Sequence, residues 1–420
     1  MREQILGAVD AAFEEQIAFT RQLTAQPSVM GEEAGAQDLM AGLMTDNGLN
    51  IDRWSLAETD FTNLPGAGVP LVDYANSWNV VGTHSGTGGG RSLILNGHVD
   101  VVPTGPAEHW TSDPFDPRID DGWLYGRGSG DMKSGLVAAV YAWSALRAAG
   151  VRTKGNLIIQ SVVEEECSGN GTVSCLDRGY TADAAVFTEP THGTTVTSHV
   201  GLLWFQIKVA GDPQHASLAG KTVNAIDKAF DLYRALQSLE SRWNKDKDAW
   251  PGFEQHEHPV NILLGKIAGG DWPSSVPAWC TLDLRVGGLP GTAAATMRAD
   301  VEACVAEAAS SDPYLRDHPP QVVWHGHFGP GYALNGGDDL LESIAVAHDA
   351  TFGGKSWRIA AAGSSDARVT AAHGIPSVLY GATVKNIHGY DEAVEIESLR
   401  MLTGSVALLI ADWCGVEAAP

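Results

Sequence analysis

Residues 93–105 read LILNGHVDVVPTG. An apolar run passes through Asn96-Gly97 and ends on a histidine and an aspartate two residues apart. A short apolar run that feeds titratable side chains reads as a strand entering a loop, and ligand sites of open α/β sheets gather at the C-terminal ends of their strands. The same arrangement recurs along the chain. Residues 156–163 (NLIIQSVV) lead into Glu164-Glu165-Glu166, and residues 184–188 (AAVFT) lead into Glu189. Between them, residues 134–149 (SGLVAAVYAWSALRAA) have helical spacing and stop at Gly150. Upstream, residues 1 to about 48 predict two amphipathic helices around Pro27, followed by a strand at 79–83. Downstream, residues 377–380 predict a strand and residues 397–413 a closing helix. Strand–helix alternation of this kind predicts an α/β fold with a mixed, mainly parallel sheet flanked by helices.

The middle of the chain breaks this rhythm. Residues 201–210 predict a strand, 224–243 a helix, 260–267 and 278–286 two strands, 291–309 a helix and 321–325 a strand. That order is β-α-β-β-α-β, a ferredoxin-like unit complete in itself. The expected organisation is therefore residues 1–198 and 330–420 forming one domain, with residues 199–329 inserted as a second. A chain of 420 residues is long enough for two cores.

Composition narrows the functional classes. A formal net charge of -24 argues against nucleic acid and anionic membranes, which call for a basic face. The start of the chain lacks a signal-peptide pattern, and no run reaches the roughly 20 apolar residues of a membrane span. Five scattered cysteines suggest reduced thiols rather than a disulfide framework or a thiolate zinc site. An acidic, cytoplasmic globular protein is the expectation from composition.

Each acidic or histidine group has two readings on its own. His98 and Asp100 share one side of an extended segment, so Asp100 could orient a ligating His98; taken alone, a hydrogen-bonded surface histidine beside a solvated aspartate is the simpler reading. Asp131 lies in YGRGSGDMKSG (125–135), whose glycines permit close backbone approach; it could bridge two metals or merely cap the following helix. That loop does not match a phosphate-binding G-x-x-x-x-G-K-[ST] pattern. Glu164-Glu165-Glu166 could be an exposed charge run, or could divide between binding a cation and facing a water. Glu189 and His388 are weak signals singly. The pairs His256-x-His258 and His325-x-His327 could clip a metal, but no carboxylate constellation surrounds them in sequence.

In order, G-H-x-D, G-R-G-S-G-D-M-K, E-E-E-x-x-G, E-P and H-G-Y-D-E resemble the zinc-dependent family of acetylornithine deacetylase, succinyl-diaminopimelate desuccinylase, aminoacylase and the glutamate carboxypeptidases. The likeness spans most of the chain, and the family's inserted dimerisation (lid) domain corresponds to the unit at 199–329. The resemblance implies two Zn2+, with Co2+ or Mn2+ fitting the same donors. It implies His98 and Glu189 on one metal, Glu166 and His388 on the other, and Asp131 between them. It implies Asp100 orienting His98, and a metal-bridging water activated by Glu165 as general base. His215, in GDPQHASLAG (211–220), resembles the histidine that reaches into a partner subunit's site, which implies a homodimer. Arg285 resembles an arginine that binds a substrate carboxylate, and Ser364, Ser365 and Asp366 fall in a loop that borders the pocket. One departure is DWPSSVPAW (271–279), with Ser274 and Ser275 where relatives often carry an asparagine. The implied activity is hydrolysis of an amide in an N-acyl amino acid or related small molecule. A carboxypeptidase or dipeptidase is the alternative, and a non-catalytic metal-binding protein a more distant one.

Overall fold

The computed structural model describes residues 1–418. A nine-stranded sheet runs in the order Asn50–Ser55, Trp78–His84, Leu157–Val162, Leu93–His98, Ala184–Phe187, Ser377–Tyr380, Thr195–His199, Tyr332–Ala333, with Arg358–Ala361 also paired to Thr195–His199. The middle four strands, from Leu157–Val162 to Ser377–Tyr380, pair in parallel. The strands flanking them join antiparallel. The sheet is thus mixed, and parallel where four strand ends open on one edge.

Its central strands are buried on both faces, as parallel sheets covered by helices are. Leu93 and Leu95 pack into one core with the helices Arg2–Thr24, Ser134–Ala148, Asp338–Thr351 and Ile396–Cys414. Ile94, one residue out of phase, packs into the opposite core with Val173, Leu176 and Val369 from the shorter helices Asn170–Asp177 and Ala367–Ala372. The helix Ser134–Ala148 is buried nearly all round, which fits its almost uncharged sequence.

Residues 201–329 build a separate four-stranded antiparallel sheet, in the order Ile262–Gly269, Trp279–Gly288, Gly201–Ala210, Gln321–Gly329. The helices Ala225–Trp243 and Ala294–Ser311 cover one face around Phe205, Ile207, Leu236, Leu282 and Met297. Asn224 caps the first helix by accepting the Ile226 N–H. Alternation along Gly201–Ala210 sends Phe205 and Ile207 to the helices and Trp204 to the other face.

A third sheet escapes sequence reading because its strands are two or three residues long. It pairs Val384–Lys385, Ala393–Glu395, Trp123–Tyr125 and Arg118–Asp120. It joins the loop that carries Asp131 to the loop that carries His388. The strands Asn50–Ser55, Thr195–His199 and Arg358–Ala361 also lie outside the sequence expectation.

Gly135, in the first turn of Ser134–Ala148, permits the close helix–sheet approach. A Cβ there would lie 2.0 Å from the Thr188 carbonyl oxygen, just before Glu189. Helix propensity alone favours Gly135→Ala by about 1 kcal/mol, whereas the collision costs about 1–3 kcal/mol. Thermal denaturation of Gly135→Ala should therefore give a lower Tm than the parent chain; a raised Tm would show that the helix can move away freely.

Candidate metal centre

The four parallel strands deliver their C-terminal ends to one cleft. Leu93–His98 ends on His98 itself, Leu157–Val162 runs into Glu164–Glu166, Ala184–Phe187 into Glu189, and Ser377–Tyr380 into the segment bearing His388. Asp131 enters from the glycine-rich loop before Ser134–Ala148. Asp131 lies between the two imidazoles. Its Oδ1 is 3.2 Å from His98 Nε2, and its Oδ2 is 3.6 Å from His388 Nε2. His98 Nε2 also lies 3.9 Å from a carboxylate oxygen of Glu189 and of Glu165. His388 Nε2 lies 3.1 Å from Glu166 Oε1. Ligand atoms of His98, Glu165 and Glu189, and those of His98, Asp131 and Glu166, converge within 4.8 Å of one another.

The loops orient these groups. His98 Nδ1 donates to the Asp100 backbone carbonyl at 2.9 Å, which leaves Nε2 as the ring nitrogen that faces the cleft. The Asp100 carboxylate is 3.5 Å from the same nitrogen and accepts the Glu166 N–H at 3.0 Å. Asp100 thus holds His98 mainly through its carbonyl and ties the His98 loop to the glutamate loop through its carboxylate. Glu164 adopts φ 69° and turns inward, where its Oε2 accepts from Tyr74 Oη and Ser168 Oγ. Of the three successive glutamates, only Glu165 and Glu166 face the cleft.

Sequence reading missed the group that fixes Asp131. Glu392, last residue of H-G-Y-D-E, accepts the N–H groups of Gly130 and Asp131 at 2.9 and 3.0 Å. Its other oxygen pairs with Arg127, the arginine of G-R-G, and both side chains are fully buried. Arg127 lies over the Trp110 ring, 5.1 Å from its centroid. The signal was present, since each residue sits inside a motif already quoted, but only the small third sheet brings the two motifs together.

The electrostatics ask for cations. Burial, reinforced by neighbouring carboxylates and opposed by His98, pushes Glu165 and Glu189 well above the usual carboxylate range. Asp100 is pushed up to about 7, chiefly by burial. Burial also acts upward on Asp131, but the hydrogen bond to His98 and the nearby imidazoles outweigh it and hold this carboxyl low. His388 is raised to about 9, with Glu166 and Asp131 outweighing its partial burial. Several buried carboxylates facing imidazole nitrogens, with no thiolate among them, form a donor set suited to borderline divalent cations. The set fits two cations sharing Asp131.

Arg285, His327, Trp204, Ser364 and Ser365 line the same cleft. Arg285 Nε is buried without a partner. Asp366 is buried but does not line the cleft. His215 is exposed and bonds Ser217 Oγ through Nδ1; it lies beside Ser275 and is not among the residues lining its own chain's cleft. His256 is bound to the Ala360 carbonyl, His258 to Glu240 and His325 to Asp283, so neither histidine pair forms a metal clip. Among the described residues, no helix is long and apolar enough to cross a membrane.

Residues 94–412 match Peptidase family M20/M25/M40. The chain is 30% identical to N-formyl-4-amino-5-aminomethyl-2-methylpyrimidine deformylase of Halalkalibacterium halodurans, covering 99% of this chain and 98% of that one. It is also 30% identical to succinyl-diaminopimelate desuccinylase of Stenotrophomonas maltophilia, over 93% and 97% of the two chains. The dipeptidase Dug1p of Saccharomyces cerevisiae has the same fold, with a TM-score of 0.81 at 14% identity over 99% and 98% of the chains. The match, together with clusters of histidine and carboxylate side chains that could hold a metal ion in one cleft, makes this a metal-dependent hydrolase of amide bonds, and the chain belongs to Peptidase family M20/M25/M40.

Proposed function

We propose that the protein removes an acyl group from the nitrogen of a small N-acyl compound, with His98 and Glu189 holding one cation, Glu166 and His388 the other, and Asp131 shared. The observation that carries this reading is Asp131, which turns one oxygen toward each imidazole. The cations are zinc, with cobalt or manganese as chemical substitutes. When bound, they supply Lewis acidity to the amide carbonyl and lower the pKa of bound water toward about 7.

The chain's own residues do the rest. Glu165, held in the cleft next to His98, takes the proton of the attacking water and returns it to the leaving amine. Asp100 keeps His98 in the tautomer that points its lone pair inward. Arg285 holds a substrate carboxylate, and Ser365 borders the bound acyl compound. His215 is read as a donor to the carbonyl oxygen of a site in a second copy of the chain. Its exposure, and its absence from its own cleft, support that reading and with it a homodimer. The unit at 199–329 acts as the lid and dimerisation domain. Five free, buried cysteines support a reducing, cytoplasmic setting.

The deformylase and desuccinylase relatives favour deacylation. Cleavage of short peptides remains the second reading because fold neighbours include dipeptidases. The two share the metal centre and differ only in the pocket. A panel of N-formyl, N-acetyl and N-succinyl compounds set beside dipeptides separates them, and turnover confined to the dipeptides would reject the deacylase reading.

Glu165→Gln should lower kcat by about 10²–10⁴-fold while retaining two metals per chain by atomic emission. Near-parental turnover would reject Glu165 as the base.

Mixing inactive His215→Ala and Glu165→Gln subunits tests the cross-subunit role. If His215 serves the partner, one site of each mixed dimer is intact and about a quarter of parental activity returns. If it serves its own chain, none does.

A further inference from the structure

The helices Ala225–Trp243 and Ala294–Ser311 cover one face of the inserted sheet. The opposite face carries Leu202, Trp204 and Gln206 at alternate positions of Gly201–Ala210. Leu202 lines the cleft of the candidate metal centre, Gln206 lines a second cavity of about 380 Å³, and Trp204, between them, lines both. Arg285, the cross-strand partner of Trp204, also lines both. The second cavity therefore follows the cleft along the same face of the sheet, with the Trp204–Arg285 pair as a sill. A two-residue step along a strand is about 7 Å, within the length of a large side chain.

Trp204 is held in place by its neighbours. The strand Gln321–Gly329 slips against Gly201–Ala210: Leu203 lies opposite Phe328, but Trp204 lies opposite His325, which leaves Gly326 and His327 as extra residues. Gly326 has φ 59°, and a Cβ there would lie 2.6 Å from a Trp204 ring carbon, so glycine is required. The His325 and His327 rings meet the indole edge-on. Gly326 and Val69 exchange backbone hydrogen bonds of 2.8 and 3.1 Å, and that bridge sets Leu71, two residues on, against the second cavity.

Met30, Leu71 and Leu263 reach this cavity from three separate segments, and each is exposed. Exposed apolar side chains gathered in one hollow mark a binding surface. The polar groups beside them are already paired. Asp283 accepts from Gln206 Nε2 through one oxygen and from His325 Nε2 through the other, each at 2.9 Å. Lys266 is exposed, so its ammonium stays in water. Beyond the sill, the hollow thus presents hydrocarbon and the satisfied Asp283 group. Gly265 keeps it roomy. It is the extra residue of a bulge between Leu264 and Lys266, and a Cβ there would meet only the Asp283 carbonyl oxygen, at an ordinary 3.8 Å.

We propose that this second cavity is a distal substrate subsite, which takes a large apolar side chain of the leaving amine as it passes over Trp204 and Arg285. The inference rests on the amidohydrolase reading above, with Arg285 on the substrate carboxylate, and narrows it. The substrate class is an N-acyl amino acid whose side chain is long and apolar or aromatic. The carboxylate stops at the sill, and the side chain continues along the sheet to Met30, Leu71 and Leu263.

Isothermal titration of the zinc-loaded Glu165→Gln protein with N-acetyl-L-alanine and N-acetyl-L-tryptophan tests this directly. The two probes share the acyl group and carboxylate and differ in the side chain. The tryptophan derivative should bind about tenfold tighter. Adding Gly265→Phe, which fills the second cavity and leaves the cleft alone, should bring the tryptophan derivative down to the alanine derivative, whose own affinity stays within about threefold. Adding Leu71→Ser instead, from the other part of the chain, should weaken the tryptophan derivative by about threefold to fivefold and leave the alanine derivative unchanged. Equal binding of the two probes, binding of neither, or a preference that survives Gly265→Phe overturns the proposal. Should Gly265→Phe not fold, a preference untouched by Leu71→Ser overturns it in the same way. Failure of the amidohydrolase reading would look different: the parent enzyme would turn over no acyl compound while the binding preference persisted.

Discussion

The carboxylates of Asp131, Glu165, Glu166 and Glu189 are gathered into one cleft around two imidazoles, with Asp100 buried behind His98, and much of this structure is arranged to hold that repulsive set in place. Taken out of water, such groups either take up protons or demand positive charge. Glu165 and Glu189 show the strain as carboxyls pushed far above their usual range, while Asp131, set between His98 and His388, is held low. Cations that satisfy all of them at once bind the folded state and not the unfolded one, and so stabilise it by mass action.

Holding the set needs supports that never touch substrate. Backbone N–H groups do part of the work. Asp100 accepts from the glutamate loop and Glu392 from the Asp131 loop, so each carboxylate spends its charge on a neighbouring loop. The buried Arg127–Glu392 pair shows why the arrangement is expensive to disturb. Removing either partner leaves the other charged and unpaired in the interior, a change of the kind that costs about 3–5 kcal/mol. These contacts lie behind the histidine and carboxylate groups of the cleft and set where their nitrogen and oxygen atoms point.

The second unit supplies a different kind of control. One face of its sheet is sealed by two helices, and the other, carrying Trp204, Arg285 and His327, forms a wall of the cleft. The clustered carboxylates and imidazoles and this wall of the cleft are therefore built on separate sheets. The first is nearly fixed by donor geometry, while the second can change residue by residue without disturbing the first.

Much was legible in the sequence alone, for physical reasons. Apolar runs long enough to be buried on both faces, such as 93–95 and 157–159, announced the central strands, and the titratable residues directly after them announced the site. The β-α-β-β-α-β order was readable because each of its elements carries its own periodicity. Local pattern could not reveal contacts between residues hundreds of positions apart. Strands of two or three residues have no measurable period, so the small sheet that brings Glu392 to Asp131 was invisible. A two-residue slip in strand register leaves no mark in hydrophobicity, so His327 looked like half of a histidine pair until tertiary structure turned it into the cleft. Sequence determined which chemical groups stand at the ends of which strands; only the folded chain decided which of them meet, because burial, register and like-charge repulsion act between segments and not along them.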